Sequence, residues 1–62
     1  MSQQTLLNKL QSLRNLSYIM ALHAADVNAG VGDQKALTKA IADFLEKERE
    51  IMKLEADMRY YA

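Results

Sequence analysis

The sequence predicts an all-α fold: an antiparallel two-helix hairpin that dimerises into a four-helix bundle. Three observations lead there. The chain has no proline, and its two glycines, Gly30 and Gly32, sit together near the midpoint, so the 62 residues encode a single break. On both sides of that break apolar residues recur at spacings of three and four, the period of a helix and not of a strand. The apolar surface of the two helices also exceeds what they can hide against each other, which calls for a second copy or a partner helix.

The first helix is expected over residues 3–29, the turn over 30–33 and the second helix over 34–60, all within one domain spanning 1–62. Gly30 ends the first helix because it accepts the left-handed conformation without a Cβ penalty. Val31 is expected to fold back near Ala25. Asp33 starts the second helix, its carboxylate accepting from the free N–H groups of the first turn and suiting the positive helix end.

Each helix offers a stripe for the seam. On the first it is read as Leu6, Leu10, Leu13, Ser17, Met20, Ala24 and Val27; on the second as Leu37, Ile41, Phe44, Glu48, Ile51, Glu55 and Met58. The short turn fixes the register, because paired residues must lie symmetrically about residue 32. Val27 with Leu37, Met20 with Phe44, Leu13 with Ile51, Leu6 with Met58 and Leu10 with Leu54 all do so. One level is polar on both helices: Ser17 and Glu48 fall at matching heights, with Arg14 one turn from Ser17. Either Glu48 swings into solvent while Ser17 fills a gap, or the three form a polar layer that fixes register or partner choice.

The surplus concentrates between Leu16 and Ala25, where the first helix is apolar on nearly all sides. Leu16, Tyr18, Ile19 and Leu22 are the expected anchors for another helix, and His23 an interfacial histidine beside them. Ala40, Leu45 and Met52 widen the apolar stripe of the second helix beyond the seam. Tyr60 and Tyr61 are expected to cover the open end of the hairpin or touch a partner, as an amphipathic aromatic suits either place.

Composition narrows the function classes. Half of the residues are hydrophobic and 26% are charged, a globular balance. Without cysteine, and with one histidine, the chain has neither a disulfide nor a Cys/His zinc site. So short a chain buries too little apolar surface to be robust alone, which leaves self-association or docking as its support. Eight basic residues balance eight acidic ones, against the basic surplus that phosphate binding favours. No segment approaches the ~20 apolar residues of a membrane span, and no basic, cleavable apolar leader opens the sequence, so a cytoplasmic location is expected.

No reactive constellation emerges. Gly30 and Gly32 follow a helix and lack a third glycine, unlike a nucleotide-binding loop. His23 has only Asp26, at i+3, as a nearby acid. Asp43, Glu46, Glu50 and Asp57 descend one face of the second helix. They read as solvated surface laced with Asp43–Lys47, Glu50–Lys53 and Glu55–Arg59 pairs. The expected function is therefore non-enzymatic, with no cofactor or metal: a small regulator, inhibitor, adaptor or co-chaperone. It would act by helix–helix contact with itself, as a homodimer first of all, or with a helical protein target. Two alternatives differ in class. One is a four-helix-bundle dimer that binds RNA or DNA. The other is an oligomeric sponge holding a small ligand between subunits, with Arg14, Tyr18 and His23 as candidate contacts.

Overall fold

The computed structural model describes residues 3–61, with side-chain surroundings for residues 3–59. It contains two α-helices, α1 (Gln3–Asn28) and α2 (Gln34–Tyr61), packed antiparallel into a hairpin. Helices of 26 and 28 residues run about 40 Å each, and the molecule is a rod with backbone extents of 48 × 15 × 11 Å.

The connection follows from its residue types. Gly30 has φ +80°, the left-handed conformation that closes a helix. The Val31 N–H donates to the Asp26 carbonyl and the Gly30 N–H to the Val27 carbonyl, each at 3.0 Å. This pair of bonds is the Schellman arrangement, which satisfies carbonyls the ending helix would leave bare. The Gly32 N–H also donates to the Asp26 carbonyl at 3.0 Å. Gly32 serves a different need, close approach: a Cβ there would lie 2.6 Å from the Val27 nitrogen and 2.8 Å from Asp26. Asp33 caps α2 as expected, its Oδ1 accepting from the Lys35 N–H at 2.9 Å. Val31 does not fold back on α1; it is 79% exposed. The chain leaves the Schellman turn with Val31 directed into solvent, so the apolar contact that often accompanies this motif is missing.

Burial locates the seam. On α1 the half-buried residues Leu6, Lys9, Leu13, Leu16, Met20, His23 and Val27 recur at alternating spacings of three and four. On α2 the matching row is Leu37, Ala40, Phe44, Lys47, Ile51, Leu54 and Met58, of which Ala40, Ile51 and Leu54 are buried. Leu6, Leu13, Met20 and Val27 of α1 and Leu37, Phe44, Ile51 and Met58 of α2, the residues of four expected layers, all belong to these rows. The three intervening layers differ. Lys9 and Leu54 line one groove and Leu16 and Lys47 another, and the same register puts His23 level with Ala40.

Leu10 and Ile41, expected in the seam, are therefore exposed at its edge. Ser17, Glu48 and Glu55 lie half-buried beside it, and Ala24 is exposed. The cause is the choice between two rows one position apart. A lysine can occupy a seam position when its aliphatic stem packs inward and its ammonium reaches out, so the row containing Lys9 and Lys47 is the one that closes.

Candidate functional site

Each intervening layer sets one polar or charged side chain against one apolar partner. Lys9 and Lys47 both turn their ammonium groups to the same carboxylate. Glu50 takes Lys9 on Oε1 at 3.0 Å and Lys47 on Oε2 at 3.5 Å. Lys9 belongs to α1 and Lys47 to α2, so Glu50 clamps the helices together across one flank. The hydrogen bond from Lys9, followed by the charges of Lys47 and Lys9, holds the Glu50 carboxyl below its ordinary pKa. Elsewhere on α2, Lys39 pairs with Asp43 at 2.9 Å and Arg59 with Glu55 at 3.8 Å. The hydrogen bond to Asp43 and that carboxylate's charge raise the Lys39 pKa above its usual value. Of the pairs expected on α2, Glu55–Arg59 is present, whereas Asp43 takes Lys39 instead of Lys47, and Glu50 takes Lys9 and Lys47 instead of Lys53.

The Glu50 clamp was not legible as such. Its signal lay in Lys9 and Lys47, cations at seam spacing opposite leucines, which an apolar count passes over. On α2 this flank is mainly charged: Leu16, Asp43, Glu46, Lys47 and Glu50 line one shallow open groove, and Lys9, Glu50, Lys53, Leu54 and Asp57 line the next. Among the described residues no three His, Asp or Glu side chains converge as a cation site would require.

The opposite flank is apolar. In an antiparallel pair the same edge of each heptad row faces the same side. Leu7 and Leu10 of α1 and Ile41, Leu45 and Met52 of α2 therefore share one long face across both helices. All five are exposed, Met52 to 63%. Near the turn, α1 contributes Ala21 and Ala24 to this face; at mid-height lie Arg14 and Ser17 of α1 and Glu48 of α2, and toward the open end the Glu55–Arg59 pair of α2. A second exposed group lies on α1 away from that face: Tyr18, 66% exposed, points outward, and Ile19 and Leu22 stand toward the grooved flank.

The expected interaction residues thus divide. Tyr18, Ile19, Leu22, Leu45 and Met52 are exposed large side chains. Leu16 and His23 are turned into the hairpin and half-buried, because they occupy the row that the apolar stripe had assigned one position later. Tyr60 and Tyr61 lie outside the residues whose side chains are described. The polar level of Arg14, Ser17 and Glu48 sits on the edge of the seam, not within it, since Leu16 and Lys47 occupy that height. No hydrogen bond or ion pair joins these three to one another. Arg14 and Tyr18 are one turn apart on exposed positions, while His23 faces inward, so one subunit does not bring the three candidate ligand contacts together. His23 makes no hydrogen bond with Asp26.

Comparisons of the chain with protein-family models, with curated proteins and with solved structures return no match. No helix among the described residues is long and apolar enough to cross a membrane.

Proposed function

We propose that this chain is a non-enzymatic interaction protein, a small regulator, inhibitor, adaptor or co-chaperone, whose exposed apolar helix faces pack against other helices. One observation carries the reading: among the described residues the hairpin buries only the hydrophobic residues Ala40, Ile51 and Leu54, while nine large ones stay exposed. Scattered exposed leucines are ordinary. Here eight of the nine are grouped, five on one face shared by both helices and three on α1 away from that face. Contiguous apolar surface on so small a protein marks a place where another protein docks. A groove-seeking amphipathic helix presents its anchors at this kind of spacing, as Ile19 and Leu22 do.

The ion pairs argue against the nucleic-acid alternative. Lys9, Lys39, Lys47 and Arg59, four of the eight basic residues, are engaged by carboxylates of the same chain. Asp43, Glu46 and Glu50 make the neighbouring groove acidic, which repels phosphate.

The test is cross-linking of the tagged chain in its own cells, with Ile19→Asp and Leu22→Asp as controls. Wild type is expected to cross-link to itself or to a defined protein. The charged variants should lose helical targets that use this second exposed group of α1 while keeping their circular dichroism. A folded chain that cross-links to nothing and sediments as a monomer overturns the reading.

A further inference from the structure

We propose that the apolar face shared by α1 and α2 is occupied by a second copy of this chain, related by a two-fold axis parallel to the helices, so that both turns lie at the same end of a four-helix bundle. The inference rests on the interaction reading above and names the partner for one of the two exposed faces.

The argument comes from the order of residues along the face. A two-fold axis parallel to the rod sets α1 of one copy over α2 of the other, antiparallel, and preserves height. Residues that share a level in one hairpin therefore meet across the interface. Near the turn, Ile41 of α2 stands between the levels of Ala21 and Ala24 of α1, and Leu45 between those of Ser17 and Ala21, so each copy offers bulky side chains where the other offers small ones. At mid-height Arg14 stands at the level between Glu48 and Met52. The guanidinium of each copy thus meets the Glu48 carboxylate of the other, twice by symmetry. Size and charge are both complementary under this single operation.

The competing two-fold axis runs across the rod and places α2 over α2. It brings Glu48 against its own copy at the centre, a like-charge contact where the first arrangement has ion pairs. The opposite, grooved flank is a poorer self-pairing surface: the axis parallel to the rod would set Asp43 and Glu46 of one copy near Ile19 of the other, and the crosswise axis would set the acidic row of α2 against its own image. Size also suffices. A face with backbone extents of 48 × 15 Å on each copy matches the roughly 1,200–2,000 Å² total of a stable interface.

The experiment is sedimentation equilibrium of the full chain from nanomolar to high micromolar concentration, with circular dichroism on each variant. Wild type is expected to dimerise, and Leu45→Asp to abolish the dimer. Glu48→Gln, Arg14→Glu and Glu48→Arg are exposed or edge substitutions that leave the seam intact. Each should weaken the dimer about tenfold or more, as loss of a close interfacial charge pair does. The double variant Arg14→Glu, Glu48→Arg should regain most of the loss. A wild-type monomer throughout overturns the proposal. So does a tighter dimer in Glu48→Gln, which selects the crosswise axis. A dimer that survives Leu45→Asp but is lost in Leu22→Asp also overturns it, yet leaves the interaction reading standing on the second exposed group of α1.

Discussion

Two residues show how much a single position controls here. Gly30 has open space around the place its Cβ would occupy, and its φ of +80° alone makes glycine necessary. Gly30→Ala should therefore cost about 1–2 kcal/mol, the left-handed penalty of an L-residue, and Gly30→Asn less, because asparagine tolerates that region better. Gly32→Ala should cost more than Gly30→Ala, since its methyl meets backbone and not a movable side chain. Urea midpoints of the three variants check this order. Glu50 governs the acid side. Its folded pKa lies below the unfolded value, so its contribution to stability is present above the roughly pH 4.3 of a free glutamate and is lost as pH falls through the lowered folded value. Glu50→Gln should flatten the fall in thermal midpoint across that acid window. Added salt should narrow the difference between wild type and variant near neutrality, because the pair is solvent-accessible.

At the scale of the helix, the consequential feature is the phase of the seam. Leu54 is 4% exposed, and Leu54→Ala should cost about 2–4 kcal/mol, as core truncations do. Leu22→Ala, in the second exposed group of α1, should cost the isolated hairpin well under half of that. Leu13→Asp should unfold the hairpin by burying an unpaired charge, whereas Ile19→Asp should leave its helices intact; circular dichroism separates the two. The turn, the two helices and four of the seven layers were legible because they depend on glycine chemistry, the Asp33 cap and a register set by a short connection. The remaining layers were not. Leu10 and Ile41 look like better seam residues than Lys9 and Ala40 when side chains are ranked by hydrophobicity. The closed hairpin instead prefers a small Ala40 that admits close approach and lysine stems whose charges meet at Glu50. The same shift by one position moved Leu16 and His23 from the outer surface into the hairpin. A sequence pattern gives the period of a helix securely. Its phase depends on which long polar side chains can span from seam to solvent, and that is decided between helices.

For the whole molecule, the shortage of interior sets the behaviour. Ordering 62 residues carries an entropy cost that apolar burial in so small a rod barely offsets, and surface ion pairs add little to the balance. In the proposed dimer the decisive increment comes from burying the shared apolar face between copies, which would make stability a function of concentration. For a dimer that unfolds to separated chains, each tenfold increase in protein adds about 1.4 kcal/mol per dimer. Two chains of this length melt with an entropy that converts this increment to roughly 5 °C. The thermal midpoint, followed by helical circular dichroism, should therefore climb by about that much per decade of concentration, and Leu45→Asp should remove the slope. A midpoint that ignores concentration in wild type would mean that the seam alone holds the fold. Leu7, Leu10, Ile41, Leu45 and Met52 would then contribute nothing to folding through self-association.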